Sequence, residues 1–183
     1  SNKTGTGLVD ALAAINAIDN GDFVYVRHNI NDENGNNNSK INAGESVNID
    51  IVFNNNSEDN FNNVTAVLRT SNKSVTIIDS IAQISKIDAN EEVIIKNEFS
   101  VLLDENTSPK TLLAFDVYFY NENNELISYI RTPVYVSGSE IQFSSFIVKN
   151  DDNNNGLLEA GETADLGIVL NNIGNEIAVG LKG

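Results

Sequence analysis

The stretch Asn34-Gly35-Asn36-Asn37-Asn38-Ser39-Lys40-Ile41-Asn42-Ala43-Gly44-Glu45-Ser46-Val47-Asn48-Ile49-Asp50-Ile51-Val52-Phe53 decides how this chain folds. Its first half sets Asn34, Asn36 and Asn38 at alternate positions, with Lys40 at the seventh place and Glu45 at the twelfth. That is the spacing of a calcium loop, D-x-[DN]-x-[DN]-G-x5-E, with Ser39 where the pattern wants glycine. In such a loop alternate side chains turn their oxygens inward and the seventh residue offers its carbonyl. The twelfth closes the shell with two carboxylate oxygens. The second half settles the architecture. Val47, Ile49, Ile51 and Phe53 alternate with Asn48, Asp50 and Asn54, and Val52 is the one exception. A period of two marks a half-buried strand, whereas a helix-flanked calcium hand needs a period of 3.6 on both sides. The loop therefore joins strands.

The same element returns 117 residues later, where Asp151, Asn153, Asn155, Gly156, Leu157 and Glu162 fill the pattern without a gap. Ala-Gly-Glu triplets stand at 43–45 and 160–162, and Leu166, Ile168 and Leu170 repeat the alternation beyond the second. Phe23-Val24-Tyr25-Val26 and Ile141-Gln142-Phe143-Ser144-Ser145-Phe146-Ile147-Val148 are strand-like runs before the two loops. A hard cation such as Ca²⁺ is the species that wants an all-oxygen shell. The ligands expected in the second loop are the side chains of Asp151, Asn153, Asn155 and Glu162 and the carbonyl of Leu157, with Leu158 anchoring the loop into a core. The matching set in the first loop is Asn34, Asn36, Asn38 and Glu45, with the carbonyl of Lys40. Asparagine supplies 31 of the 183 residues, so the Asp, Gly and Glu placements carry the pattern rather than the asparagines. Only Glu45 is charged within the first pattern, although Asp32 and Glu33 lie just upstream. Affinity follows ligand charge, and the expectation there is weak binding, on the order of 10⁻⁴–10⁻³ M, or none.

The repeat extends past the loops. Asn62-Asn63-Val64-Thr65-Ala66-Val67-Leu68-Arg69-Thr70 aligns with Asn175-Glu176-Ile177-Ala178-Val179-Gly180-Leu181-Lys182-Gly183. The chain then divides into a complete unit over 22–137 and the opening of a second over 138–183, which stops in its third strand. Such a partial unit must stay mobile, dock on its neighbour, or pair with another chain through its strand edges. Further strands are expected at 75–78, 92–103, 111–120 and 126–136, with Asn121-Glu122-Asn123-Asn124 as a hairpin turn. Pro109 falls in a loop, and Pro133 needs an edge or bulge position. Seven or eight strands in about 115 residues, without helical periodicity, specify an all-β, antiparallel β-sandwich of immunoglobulin-like size. Residues 1–21 are the exception. Leu8, Leu12 and Ile15 share a face of an alanine-rich run over 7–18, a short amphipathic helix ending near Asn20-Gly21.

Composition narrows the function. A formal charge of −15 and a pI near 4.2, with no basic stripe, repel nucleic acid. No run reaches the ~18–20 apolar residues of a membrane span, and no signal peptide is read. The absence of cysteine excludes disulfides and thiol chemistry. The single histidine, His28, reads as an ordinary strand residue, because a triad needs a nucleophile and an orienting acid beside it. No catalytic and no organic-cofactor residues are assigned.

Gly5-Thr6-Gly7-Leu8-Val9-Asp10-Ala11-Leu12-Ala13-Ala14 resembles the closing helix of subtilisin-like serine protease domains. The unit after it, with its Asn/Asp-rich turn, Gly-Glu pair and alternating strand, resembles the β-sandwich modules that secreted bacterial proteases carry C-terminally. The resemblance implies a secreted or cell-surface protein whose partners are calcium, an upstream protease domain of the same parent chain and other extracellular proteins. Such proteases use Asp, His and Ser in that order, with the serine in a Gly-Thr-Ser element. That element is absent here, so any endopeptidase activity would belong to the upstream domain. The function expected is a non-catalytic calcium-binding accessory module that stabilises or positions the enzyme. Two alternatives stand beside it. One is an adhesive or spacer repeat of a cell-surface protein, distinguished by reading the parent gene upstream of Ser1 for Gly-Thr-Ser. The other is carbohydrate binding through Tyr25, Tyr118, Tyr120, Tyr129 and Tyr135, in a chain without tryptophan.

Overall fold

Period-two alternation turns successive side chains to opposite faces, and it organises this chain into antiparallel strands. The computed structural model describes residues 22–182, and the helix expected over 7–18 lies outside them. The described residues form eleven strands and no helix, so none of them lies in a helix long and apolar enough to cross a membrane. Nine strands make two sheets. One has the order β1 (Phe23–Asn31), β2 (Ser46–Asn55), β7 (Ser100–Leu103), β4 (Val75–Asp79), with β6 (Glu92–Ile95) also on β2. The other runs β5 (Ile81–Ile87), β3 (Phe61–Arg69), β8 (Leu112–Tyr120), β9 (Leu126–Tyr135). They face each other as an immunoglobulin-like β-sandwich, an A-B-E-D sheet over a C-F-G sheet, with β5 added beside β3.

The inner faces are those that the alternation marks. Val47, Ile49, Ile51 and Phe53 of β2 are buried, as are Leu113, Phe115, Val117 and Phe119 of β8. Phe119 closes the sandwich at one end, edge-on to Phe23 at 4.9 Å and tilted against Phe53 at 4.8 Å. Asn121–Asn124 forms the expected turn of the β8–β9 hairpin, with Asn124 in the left-handed region. Pro133 sits on β9, an edge strand, where no ladder bond needs its missing N–H.

Three features differ from the sequence expectation. The single strand expected over 92–103 is split into β6 and β7. Asn97 takes a left-handed φ of 59° there, and its N–H donates to the buried Asp50 carboxylate at 2.9 Å. β5 is absent from the sequence reading because its apolar residues, Ile81, Ile84 and Ile87, are spaced by three rather than two. The third strand of the second unit does not form within 173–182. Ile177 and Val179 are each 86% exposed, while the aligned Val64 and Ala66 are buried in β3 between β5 and β8.

The remaining two strands, β10 (Ile141–Lys149) and β11 (Asp165–Asn172), form a separate hairpin around the second loop. Its register repeats that of β1 and β2. Tyr25 faces Phe53 and a bulge follows before Arg27. Phe143 likewise faces Leu170 and a bulge follows before Ser145. Both pattern loops thus leave an antiparallel pair at the same end.

Candidate functional site

Each loop is folded by the shortness and polarity of its own side chains. Asparagine and glycine tolerate positive φ, and three left-handed positions recur at one spacing. They are Asn37, Ser39 and Gly44 in the first loop, and Asn154, Gly156 and Gly161 in the second. Ser39, the departure from the pattern, is held at φ 60° where its counterpart is a glycine at φ 76°.

In the second loop Asp151 is 5% exposed, and its Oδ2 accepts the N–H groups of Asn155 (2.7 Å) and Gly156 (3.2 Å). Asn153 Oδ1 accepts from Asn155 N–H, and Asn155 Oδ1 accepts from Leu157 N–H. The amide Nδ2 of Asn153 donates to Glu159 Oε2 (2.7 Å) and Glu162 Oε1 (2.6 Å), and Asn155 Nδ2 also reaches Glu159 Oε2. Glu162 Oε2 accepts Glu159 N–H at 3.1 Å. The five predicted residues are thereby brought into one network, Leu157 through its backbone. Leu158 is not an anchor into a core. It is 57% exposed, on the rim of an apolar hollow with Phe146, Val148 and Leu166, because no second sheet among the described residues covers the hairpin there.

The first loop repeats these contacts. Asn36 Oδ1 accepts from Asn38 N–H, and Asn38 Oδ1 from Lys40 N–H. Asn36 and Asn38 each donate Nδ2 to Asn42 Oδ1, the place of Glu159. Glu45 accepts from Asn36 N–H and, like Glu162, from the N–H three residues before it, Asn42. Gly35 lies close under this closure, and a Cβ there would stand 2.9 Å from Glu45 Oε1. Asn34 is exposed and lies outside the network. Its place is taken by Asp32, 2% exposed, whose two carboxylate oxygens accept the N–H groups of Asn38 and Ser39. The carboxylate arrives two residues early, and the extra residues are accommodated in the turn at Gly35, whose N–H donates to Asp32 O.

Three functional candidates thus escape the pattern. Asp32 was signalled only as a carboxylate abutting β1. Asn42 and Glu159 hold the ninth place, where calcium loops often add a ligand. Among the described residues no group of three or more Asp, Glu, His or Cys side chains gathers as a metal cage. In the second loop asparagine amides instead stand between the carboxylates, Nδ2 toward them and Oδ1 on the loop's own N–H groups. That chemistry fits a hard cation. The amide N–H groups facing Glu159 and Glu162 supply the positive edge that a cation would supply, and a half-turn of each amide exchanges nitrogen for oxygen at the same place.

Elsewhere some of the candidate aromatic groups are engaged with one another. Tyr118 and Tyr129 stack across strands at 5.9 Å, and Arg69 lies over Tyr118. Tyr135, by contrast, is 60% exposed. His28 lies on β1 with Nδ1 2.8 Å from the Tyr25 hydroxyl. Burial pushes its pKa below 6.5, and burial raises that of Tyr25.

No family model and no curated protein matches the chain. Among solved structures, a Niemann-Pick type C2 protein from Japanese carpenter ant is 13% identical, with a TM-score of 0.33, over 66% of this chain and 96% of that one. Similarity at that level carries no functional argument.

Proposed function

We propose that the chain is a non-catalytic, calcium-binding β-sandwich module of a secreted or cell-surface protein, carried beside a subtilisin-like protease domain that it stabilises or positions. The observation that supports the calcium reading is the duplication. Two loops, apart in sequence, share left-handed positions, asparagine Oδ1 atoms that accept the N–H two residues on, and a closing glutamate that ties back to the residue three before it. The protease reading is supported by the resemblance of residues 5–14 and extends to the upstream domain as partner.

In the second loop the cation would be held by Asp151, Asn153, Asn155, Glu159, Glu162 and the carbonyl of Leu157. In the first it would be held by Asp32, Asn36, Asn38, Asn42, Glu45 and the carbonyl of Lys40. Bound calcium supplies the charge that draws these oxygens together. The chain's own part is to fix the exit of β1 and β10 against the start of β2 and β11. Binding to the folded state alone then stabilises it by mass action. With millimolar calcium and a dissociation constant on the order of 10⁻⁴–10⁻³ M, the gain at the first loop is about 0.4–1.4 kcal/mol, and it is larger at the more highly charged second. The first loop's share raises the thermal midpoint by roughly 1–5 °C over EDTA. Magnesium, which demands a tighter octahedron, should give a smaller shift. Equal midpoints in calcium and EDTA would refute the reading.

A further inference from the structure

One carboxylate in the first loop's network belongs to neither the loop nor the sandwich. Glu176 lies beyond β11, yet its Oε1 accepts from Asn38 Nδ2 (3.3 Å) and Lys40 Nζ (3.0 Å). Its Oε2 accepts from Asn42 Nδ2 at 3.0 Å. The second loop has Leu157 and Glu159 at the places of Lys40 and Asn42, so it offers no matching seat for a foreign carboxylate. The third charge that Glu159 brings to the second loop is therefore borrowed in the first.

The chain around Glu176 is gripped as well. The N–H groups of Asn175 and Glu176 both donate to Gly138 O, and Ile173 N–H donates to Glu140 O. Gly138 N–H donates to Asn175 Oδ1, and Lys110 Nζ donates to Ile173 O. Gly174 lies so close that a Cβ would collide with the Gly138 carbonyl and stand 2.6 Å from Glu140 N. Asn42 joins the same seam through Ser137 O at 2.9 Å. By contrast Leu166, Ile168 and Leu170 are exposed, although they match the buried Ile49, Ile51 and Phe53 in register. Polar contacts at the seam, rather than apolar packing of those faces, set the hairpin on the sandwich.

We infer that the first loop is a joint: Glu176 fastens the β10–β11 hairpin to it, so that the angle between hairpin and sandwich responds to the cation the loop holds. This rests on the calcium reading above. Without a cation, Glu176 is held by a half-exposed lysine and two amides, contacts of the strength that thermal motion opens. A divalent cation in the loop attracts the Glu176 carboxylate directly, which replaces the Nδ2 bond that Asn38 gives up when its amide turns its oxygen to the ion.

The chain has no cysteine, so nitroxides attached through Ser85→Cys on β5 and Ser145→Cys on β10, both exposed, label only those sites. In a Glu162→Gln background, which silences the second loop, pulsed electron spin resonance should show their distance distribution narrowing by roughly half when calcium is added. Glu176→Gln should keep it broad. Gly174→Ala, which forces the seam apart without altering a loop oxygen, should broaden it while calorimetry still records calcium uptake. Uptake without narrowing, or narrowing undiminished in Glu176→Gln, overturns the joint and leaves the calcium reading standing. No uptake by the first loop removes the joint and the calcium reading of that loop, and leaves the second loop to its own titration.

Discussion

His28 shows how much a single side chain reveals once its neighbours are known. Its Nδ1 lies 2.8 Å from the Tyr25 hydroxyl, and burial disfavours the charged form of the ring. With the folded pKa below 6.5, the unfolded chain binds the extra proton first as the medium is acidified. Stability is therefore full above pH about 6.5 and falls as pH drops through that value toward the depressed one. A urea series between pH 7.5 and 5 should show this slope in the parent and a flatter profile in His28→Gln. An identical slope in both would assign the acid sensitivity to other groups. Asp32 teaches the complementary lesson. Nothing in the pattern's spacing points to it, because the pattern counts residues along a loop of fixed length. The fold instead counts from the end of β1, where a carboxylate finds two N–H donors out of water.

At the scale of elements, the loops are set first by backbone conformation. Ser39 holds φ 60° with its N–H committed to Asp32, so glycine there would relieve a left-handed strain without removing a hydrogen bond. The unfolded chain gains freedom in exchange, leaving Ser39→Gly more stable by about 0.5–1 kcal/mol in chemical denaturation. A destabilised Ser39→Gly would show that the serine side chain contributes what the backbone argument ignores. Strands were legible wherever one face is buried and the other wet, as along β2, β8 and β9, because alternation is the direct trace of that geometry. β5 was not legible, since an edge strand with isoleucines at every third position satisfies no strict period. The break between β6 and β7 was also hidden. It depends on Asp50 in the adjacent strand capturing Asn97 N–H, a contact that no local run of sequence displays.

For the whole molecule, a two-stranded hairpin is at best marginal without a partner. Here the β10–β11 pair meets the sandwich through the seam at 137–140 and 173–176. Both loops therefore matter to more than their own strands. In the second only Glu159 fell outside the pattern, because its donors are local, whereas in the first Asp32, Asn42 and Glu176 all did. The central claim is that these loops bind calcium, and calorimetric titration of the chain tests it most directly. The account predicts up to two binding events, with dissociation constants on the order of 10⁻⁴–10⁻³ M at the first loop and tighter at the more highly charged second. Glu162→Gln should remove the tighter event alone. A flat titration of the parent chain, or a Glu162→Gln isotherm that overlays it, would contradict the account.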